Sequence, residues 1–166
     1  MEAPLLVPAY VALGSNLDEP RARVEQAFDA LDALPETSGV LRSSLYRTAP
    51  FGPVVQPQFV NAVAGLLTSL GPGALLAALK ELETRLGRTR PAVRWGPRHI
   101  DLDLLVYGTT RLDTEELKLP HPGIAERAFV LVPLAQIAPE LEVPGVGRVR
   151  TLLSRIDASG VSRIAG

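Results

Sequence analysis

Phe59-Val60-Asn61-Ala62-Val63-Ala64-Gly65-Leu66-Leu67-Thr68 reads as a strand, apolar on both faces apart from Asn61. Pro72 then opens a helix at the position where proline is tolerated. Leu75, Leu79, Leu82 and Leu86 form the apolar stripe of that helix, and Gly87 is a natural C-terminal cap. Upstream, Pro8 to Gly14 alternates weakly and ends in Gly-Ser-Asn, a strand running into a turn. Asn16, with Glu19 three residues on, has capping-box spacing. Val24, Ala27, Phe28 and Leu31 repeat as one helical face that stops before Pro35. Val40 to Arg47 is expected to be a second strand, followed by a Pro/Gly-rich loop.

Beyond the second helix an arginine-rich loop leads into a further strand, His99 to Tyr107. The order is therefore β-α-β-β-α-β, the split βαβ arrangement. It predicts an α+β, ferredoxin-like core with an antiparallel sheet and two helices on one face, plus a short C-terminal extension. Ala125 to Val132 is expected to form a short helix and Thr151 to Ile156 a final turn. Pro133, Pro139 and Pro144 are expected to break up the tail. No repeat, low-complexity tract or linker divides the chain, so residues 1–166 are expected to form one domain. Such folds host many unrelated functions, so function has to be argued from particular residues.

Composition narrows the choice. Hydrophobic residues make up 46% and charged residues 21%, an ordinary globular mixture. There is no cysteine, which excludes disulfides, thiolate metal sites and cysteine nucleophiles. No apolar run approaches the roughly 20 residues of a membrane span. The opening Met-Glu-Ala-Pro-Leu-Leu-Val lacks the basic start and apolar length of a signal peptide, so a cytoplasmic protein is expected. Net charge is −1, which gives no global attraction to nucleic acid or membrane. Locally the balance differs. Arg85, Arg88, Arg90, Arg94 and Arg98 fall between Thr84 and Ile100, a stretch with no acid, which suits a small polyanion.

The sharpest chemical signal follows at once: Arg98-His99-Ile100-Asp101-Leu102-Asp103-Leu104. On a strand, alternate side chains share a face. Ile100, Leu102 and Leu104 then point into the core, while Asp101 and Asp103 project together, about 7 Å apart by strand rise. Two carboxylates so placed repel unless a cation lies with them, and hard oxygen donors suit Mg²⁺ that also takes phosphate oxygens. Taken alone, Asp-x-Asp is as readily the polar face of a half-exposed strand. The guanidinium-rich loop shifts that balance, because arginine is suited to forked contact with phosphate. Neither a P-loop nor a dinucleotide-binding glycine pattern is present, and His99 and His121 are too few for an ordinary zinc site. His121, between two prolines, reads equally as a phosphate donor or a loop cap. Asn61 offers donor and acceptor on one side chain, which suits the polar edge of a flat heteroaromatic ring. Phe59 and Phe129 read either as ring-stacking faces or as ordinary core.

These residues resemble the 6-hydroxymethyl-7,8-dihydropterin pyrophosphokinase family of folate biosynthesis. Four blocks spanning about Tyr10 to Pro139 carry the likeness: Ala12-Leu-Gly-Ser-Asn-Leu; Tyr46-Arg-Thr through Gln56-Pro-x-Phe-Val-Asn61; Glu83 through Arg94-Trp-Gly-Pro-Arg-x-Ile-Asp-Leu-Asp103; and Leu119-Pro-His-Pro through Arg127-x-Phe-Val-Leu. The resemblance implies that Asp101 and Asp103 bind two magnesium ions and that Arg88 and Arg98 act with them in catalysis on the triphosphate. It implies ATP contacts at Glu83, Arg90, Trp95, Leu104, His121 and Arg127 as well. A pterin pocket is implied at Gly14, Thr48, Ala49, Phe51, Phe59, Asn61, Trp95 and Phe129, with Phe59 and Phe129 on opposite ring faces. Ala49, Glu116 and Lys118 depart from the family pattern, the last two near the outer adenosine contacts.

The implied reaction is an in-line attack by the pterin hydroxymethyl oxygen on the β-phosphorus of ATP, releasing AMP. The expected protein is a monomeric, magnesium-dependent diphosphotransferase acting on small molecules, with no nucleic-acid or membrane partner. Two other readings stand beside it. A base-stacking RNA module is disfavoured by the carboxylate pair and by the lack of an aromatic-rich sheet signature. A nucleotide-sensing domain would bind ATP but form no AMP.

Overall fold

Strand β1 (Val7–Ser15) sends Ala9, Val11 and Leu13 to one side, all almost completely buried, and Tyr10, Ala12 and Gly14 to the other. The computed structural model describes residues 5–16, 19–48, 58–87 and 100–164. After β1 come α1 (Pro20–Asp32), β2 (Thr37–Arg42), β3 (Tyr46–Thr48), β4 (Phe59–Thr68), α2 (Pro72–Gly87) and β5 (Asp101–Tyr107). Then follow β6 (Leu112–Asp113), β7 (Lys118–Leu119), α3 (Ala128–Ile137), β8 (Glu142–Val143), β9 (Gly147–Arg148), α4 (Val149–Ser154) and β10 (Val161–Arg163). The main sheet runs β10-β3-β4-β1-β5, with β2 pairing the far half of β4, and every pair is antiparallel. This is the ferredoxin-like order expected from the sequence, and β4, the doubly apolar strand, lies inside the sheet.

Both faces of the sheet are covered. On one, Leu13, Ala62, Leu66, Leu102 and Leu104 pack against Val24, Phe28 and Leu31 of α1 and Leu75, Leu79 and Leu82 of α2. On the other, Val63, Leu105 and Val106 meet Val130, Leu131 and Leu134 of α3 and Val149 and Leu152 of α4. The register slips between Tyr10 and Val11, leaving Leu105 as an extra residue in β5. That bulge lets Leu105 and Val106 both serve the second core.

The tail does more than extend the chain. Proline 133 was expected to end a helix, yet α3 runs through it to Ile137. The cost of the missing donor is offset because Pro133 is buried in the second core beside Val130 and Leu134. The expected final turn is the short helix α4, and β10 adds an unforeseen strand to the edge of β3. The capping box does not form. Glu19 itself enters α1 in a left-handed conformation (φ 53°) with no side-chain cap, and Pro20 supplies the preset first turn.

The strand expected over 40–47 is two strands, β2 and β3, with a break at 43–45. Ser43 holds that break to β4. Its N–H donates to the Val63 carbonyl at 2.9 Å, and its Oγ accepts from the Val63 N–H at 2.9 Å. A serine hydroxyl thus stands in for the ladder carbonyl, which lets the chain kink without orphaning a buried amide. The strand expected from His99 begins at Asp101, and His99 lies outside the described residues.

Candidate active site

Cross-strand register assembles the site before any side-chain detail is needed. Residues directly opposite one another share a face. Tyr46 pairs with Asn61, Asn61 with Gly14, and Gly14 with Asp101, so one row crosses β3, β4, β1 and β5. In the adjacent rows Thr48 opposes Phe59, and Val63, Ala12 and Asp103 line up. These rows lie on the face that α3 covers, opposite α1 and α2.

At one end of the row sits an oriented amide. Asn61 is buried, and its Oδ1 accepts a hydrogen bond from the buried Thr48 hydroxyl at 2.7 Å. With Oδ1 engaged there, Nδ2 is directed over Gly14, where a Cβ would come within 2.9 Å of it. Residue 14 therefore has to be glycine if that amide is to keep its place. Phe59 is half-buried in the next row, and Phe129, at the start of α3, is half-buried on the rim of the second core. The Arg127 guanidinium lies 5.9 Å from the centre of the Phe129 ring, a cation–π distance.

At the other end sit the acids. Asp101 is half-buried and Asp103 exposed, with Leu102 buried between them. Strand β5 is the sheet edge, and Glu83 of α2 accepts the Leu102 N–H there at 2.9 Å. Burial raises the Glu83 carboxyl above the ordinary carboxylate range, and the negative charges of Asp101 and Asp103 push it further the same way. The accepted N–H and nearby Lys80 act against that rise. His121 is tied to β5 by its own N–H, which donates to the Leu105 carbonyl at 2.8 Å. Its Nδ1 accepts from the Gly123 N–H at 3.1 Å, so the neutral ring carries its proton on Nε2. Burial and then Arg127 lower the His121 pKa, while Asp103 opposes them, so the neutral form dominates at pH 7.

The donor set fits a hard divalent cation. Two carboxylates lie on one face as hard oxygen donors, and both add to the upward push that burial already gives the neighbouring Glu83. Among the described residues no group of three or more His, Cys, Asp or Glu side chains forms a metal cage.

Of the sequence-derived site residues, the structure brings Gly14, Thr48, Phe59 and Asn61 together on one sheet face, with Asp101 in the Gly14–Asn61 row and Asp103 in the next row on that face. Glu83, His121 and Arg127 gather at the acid end. The Leu104 side chain is buried in the core on the opposite face, so only its main chain remains for a nucleotide. Arg88, Arg90, Trp95, Arg98, Ala49 and Phe51 lie outside the described residues. Sequence reading missed Ser43 and Gln136. The Gln136 side chain bonds Ser44, 92 positions away, and no local pattern marks such a partner.

A family model described as 7,8-dihydro-6-hydroxymethylpterin-pyrophosphokinase matches residues 10–139. A 2-amino-4-hydroxy-6-hydroxymethyldihydropteridine pyrophosphokinase of Pseudomonas aeruginosa is 49% identical over 157 residues, covering 95% of this chain and 96% of that protein. Its counterpart in Methylorubrum extorquens is 45% identical over 156 residues, covering 94% and 98%. Among solved structures, a Plasmodium falciparum HPPK-DHPS wild-type protein with pteroate superposes with a TM-score of 0.75 at 16% identity. That match covers 100% of this chain and 47% of the Plasmodium chain, so this chain spans about half its length, and the likeness speaks to the fold alone.

Proposed function

The chain belongs to the 7,8-dihydro-6-hydroxymethylpterin-pyrophosphokinase family and transfers pyrophosphate from ATP to the hydroxymethyl group of 6-hydroxymethyl-7,8-dihydropterin in folate biosynthesis, and we propose that it does so across the row Asn61–Gly14–Asp101. The observation that carries this reading is that an amide locked by Thr48 and a carboxylate pair occupy one sheet face, with Gly14 between Asn61 and Asp101.

Each residue then has a task. Phe59 and Phe129 flank the pterin ring, and Asn61, locked by Thr48, reads its polar edge. Ala49 and Phe51 complete that pocket. The hydroxymethyl group is directed along the sheet toward Asp101 and Asp103, which hold magnesium. Magnesium held by Asp101 and Asp103, two ions in all, would supply charge neutralisation at the phosphates and lower the pKa of the attacking hydroxyl. The neutral His121 donates from Nε2 to a phosphate oxygen, and Arg127 adds positive charge beside it. Arg88 and Arg98 are assigned to the triphosphate, with Arg90 and Trp95 as further nucleotide contacts and the Leu104 main chain offered to the nucleotide. Holding reactants in line while excluding water supplies most of the acceleration, as in other phosphoryl transfers. The protein acts as a single-domain monomer in the cytoplasm. Among the described residues no helix is long and apolar enough to cross a membrane.

The deciding assay follows nucleotide products by chromatography. AMP is expected to form from ATP only when 6-hydroxymethyl-7,8-dihydropterin and Mg²⁺ are both present. Formation of ADP in place of AMP, or AMP without pterin, contradicts the reaction; undiminished turnover in excess chelator contradicts the magnesium assignment.

Glu83 gives a separate prediction for the metal-free protein. Its folded-state pKa is raised, so over the window just above the ordinary carboxylate pKa of about 4.3 the folded state holds more protons than the unfolded state. Stability contributed by this group therefore falls as pH rises through that window. Glu83→Gln keeps an oxygen for the Leu102 N–H and removes the charge. Its thermal midpoint should exceed that of wild type at pH 7, with the gap narrowing toward pH 4. A constant gap across that range contradicts the reading of this carboxyl.

A further inference from the structure

Strand β3 is short for the task it carries. Its three residues include Thr48, which orients Asn61, and Tyr46, which pairs with Asn61 across the ladder. The kink at 43–45 cuts it off from β2. So few ladder bonds leave its placement dependent on whatever else grips it.

Gln136 supplies a grip from α3. Its Oε1 accepts from the Ser44 N–H at 2.8 Å and from the Tyr46 hydroxyl at 2.8 Å, while its Nε2 donates to the Ser44 Oγ at 2.8 Å. Both ends of one amide are thus used on Ser44, just before β3, and Tyr46, its first residue. Gln136 also lies two helical turns on from Phe129 in α3. One helix therefore carries an aromatic of the ring pocket and fastens the strand whose Thr48 orients the pocket's amide. We propose that Gln136 is a positioning residue for the pterin: by clamping the start of β3 to α3, it fixes the separation between Phe129 and the Thr48–Asn61 pair. This inference rests on the pterin reading of that pocket.

Gln136→Met keeps the length of the side chain and loses all three bonds. Gln136→Glu keeps the two acceptor bonds, and the Ser44 hydroxyl can turn to donate. Two measurements are needed: hydrogen–deuterium exchange at residues 46–48, and steady-state kinetics with each substrate varied. In Gln136→Met, exchange at 46–48 should quicken and KM for the pterin should rise at least fivefold. KM for ATP should stay within twofold, and Gln136→Glu should return both readouts to wild type. If Gln136→Met fails to fold, Tyr46→Phe, which deletes one bond and keeps the ring, is expected to move both readouts in the same direction. Unchanged exchange overturns the clamp whatever the substrate. Faster exchange with an unchanged pterin KM leaves a merely structural tie and overturns the positioning role. Wild-type protein that forms no AMP with the pterin overturns the function itself, a result the exchange data do not mimic.

Discussion

Asp101→Ala and Asp103→Ala should each lower turnover about a thousandfold or more, the scale on which preorganised charge stabilises a transition state. The loss is expected without unfolding. Asp103 is exposed, and removing it relieves repulsion around Glu83, so the metal-free Asp103→Ala protein should melt at or above the wild-type temperature. This combination separates chemistry from architecture. A core residue of β5 such as Leu102 or Leu104 would lose activity by destabilising the sheet, since both are almost completely buried. Exposed Asp103 is no part of that core. Circular dichroism melts beside turnover decide the matter: activity near wild type in either variant removes that acid from the site, and a lowered melt of Asp103→Ala assigns Asp103 a structural role.

Asn61→Ala should raise the pterin KM at least a hundredfold while leaving ATP binding nearly unchanged. A site that reads a ring edge by paired donor and acceptor rejects what it cannot pair, and the reverse also holds when the reader is deleted. The substitution carries a stability cost too. The Thr48 hydroxyl is buried and loses its acceptor, which costs about 1–3 kcal/mol. Two neighbours act on the same amide from different sides. Thr48→Val leaves the amide but releases its lock, and Gly14→Ala places a Cβ within 2.9 Å of Nδ2. Both should raise the pterin KM less than Asn61→Ala does, about tenfold. Equal effects on ATP and pterin would mean general collapse of the face, and the ring-reading role would fall.

Much of this was legible in the chain because it is written locally. The doubly apolar run 59–68 declared an interior strand, and alternate leucines and aspartates in 100–104 declared which side faced the core. Asn61 stood out as a lone polar residue in that run. What stayed hidden depends on contacts distant in sequence. Pro133 reads as a stop signal until the second core that surrounds it is known, because packing outweighs one lost backbone bond. β10 is a three-residue strand, too short for a period, and it exists because β3 offers an open edge. Ser43 looks like a loop residue, and only the ladder shows its hydroxyl replacing a carbonyl.

We propose that the carboxylates of Asp101 and Asp103 hold divalent cations together with a triphosphate. Titrating Mn²⁺ by electron paramagnetic resonance, with and without a nonhydrolysable ATP analogue, tests it directly. Wild-type protein with the analogue should bind two ions, and Asp103→Asn should bind fewer. Equal uptake by wild type and Asp103→Asn, or no uptake by either, would contradict the account.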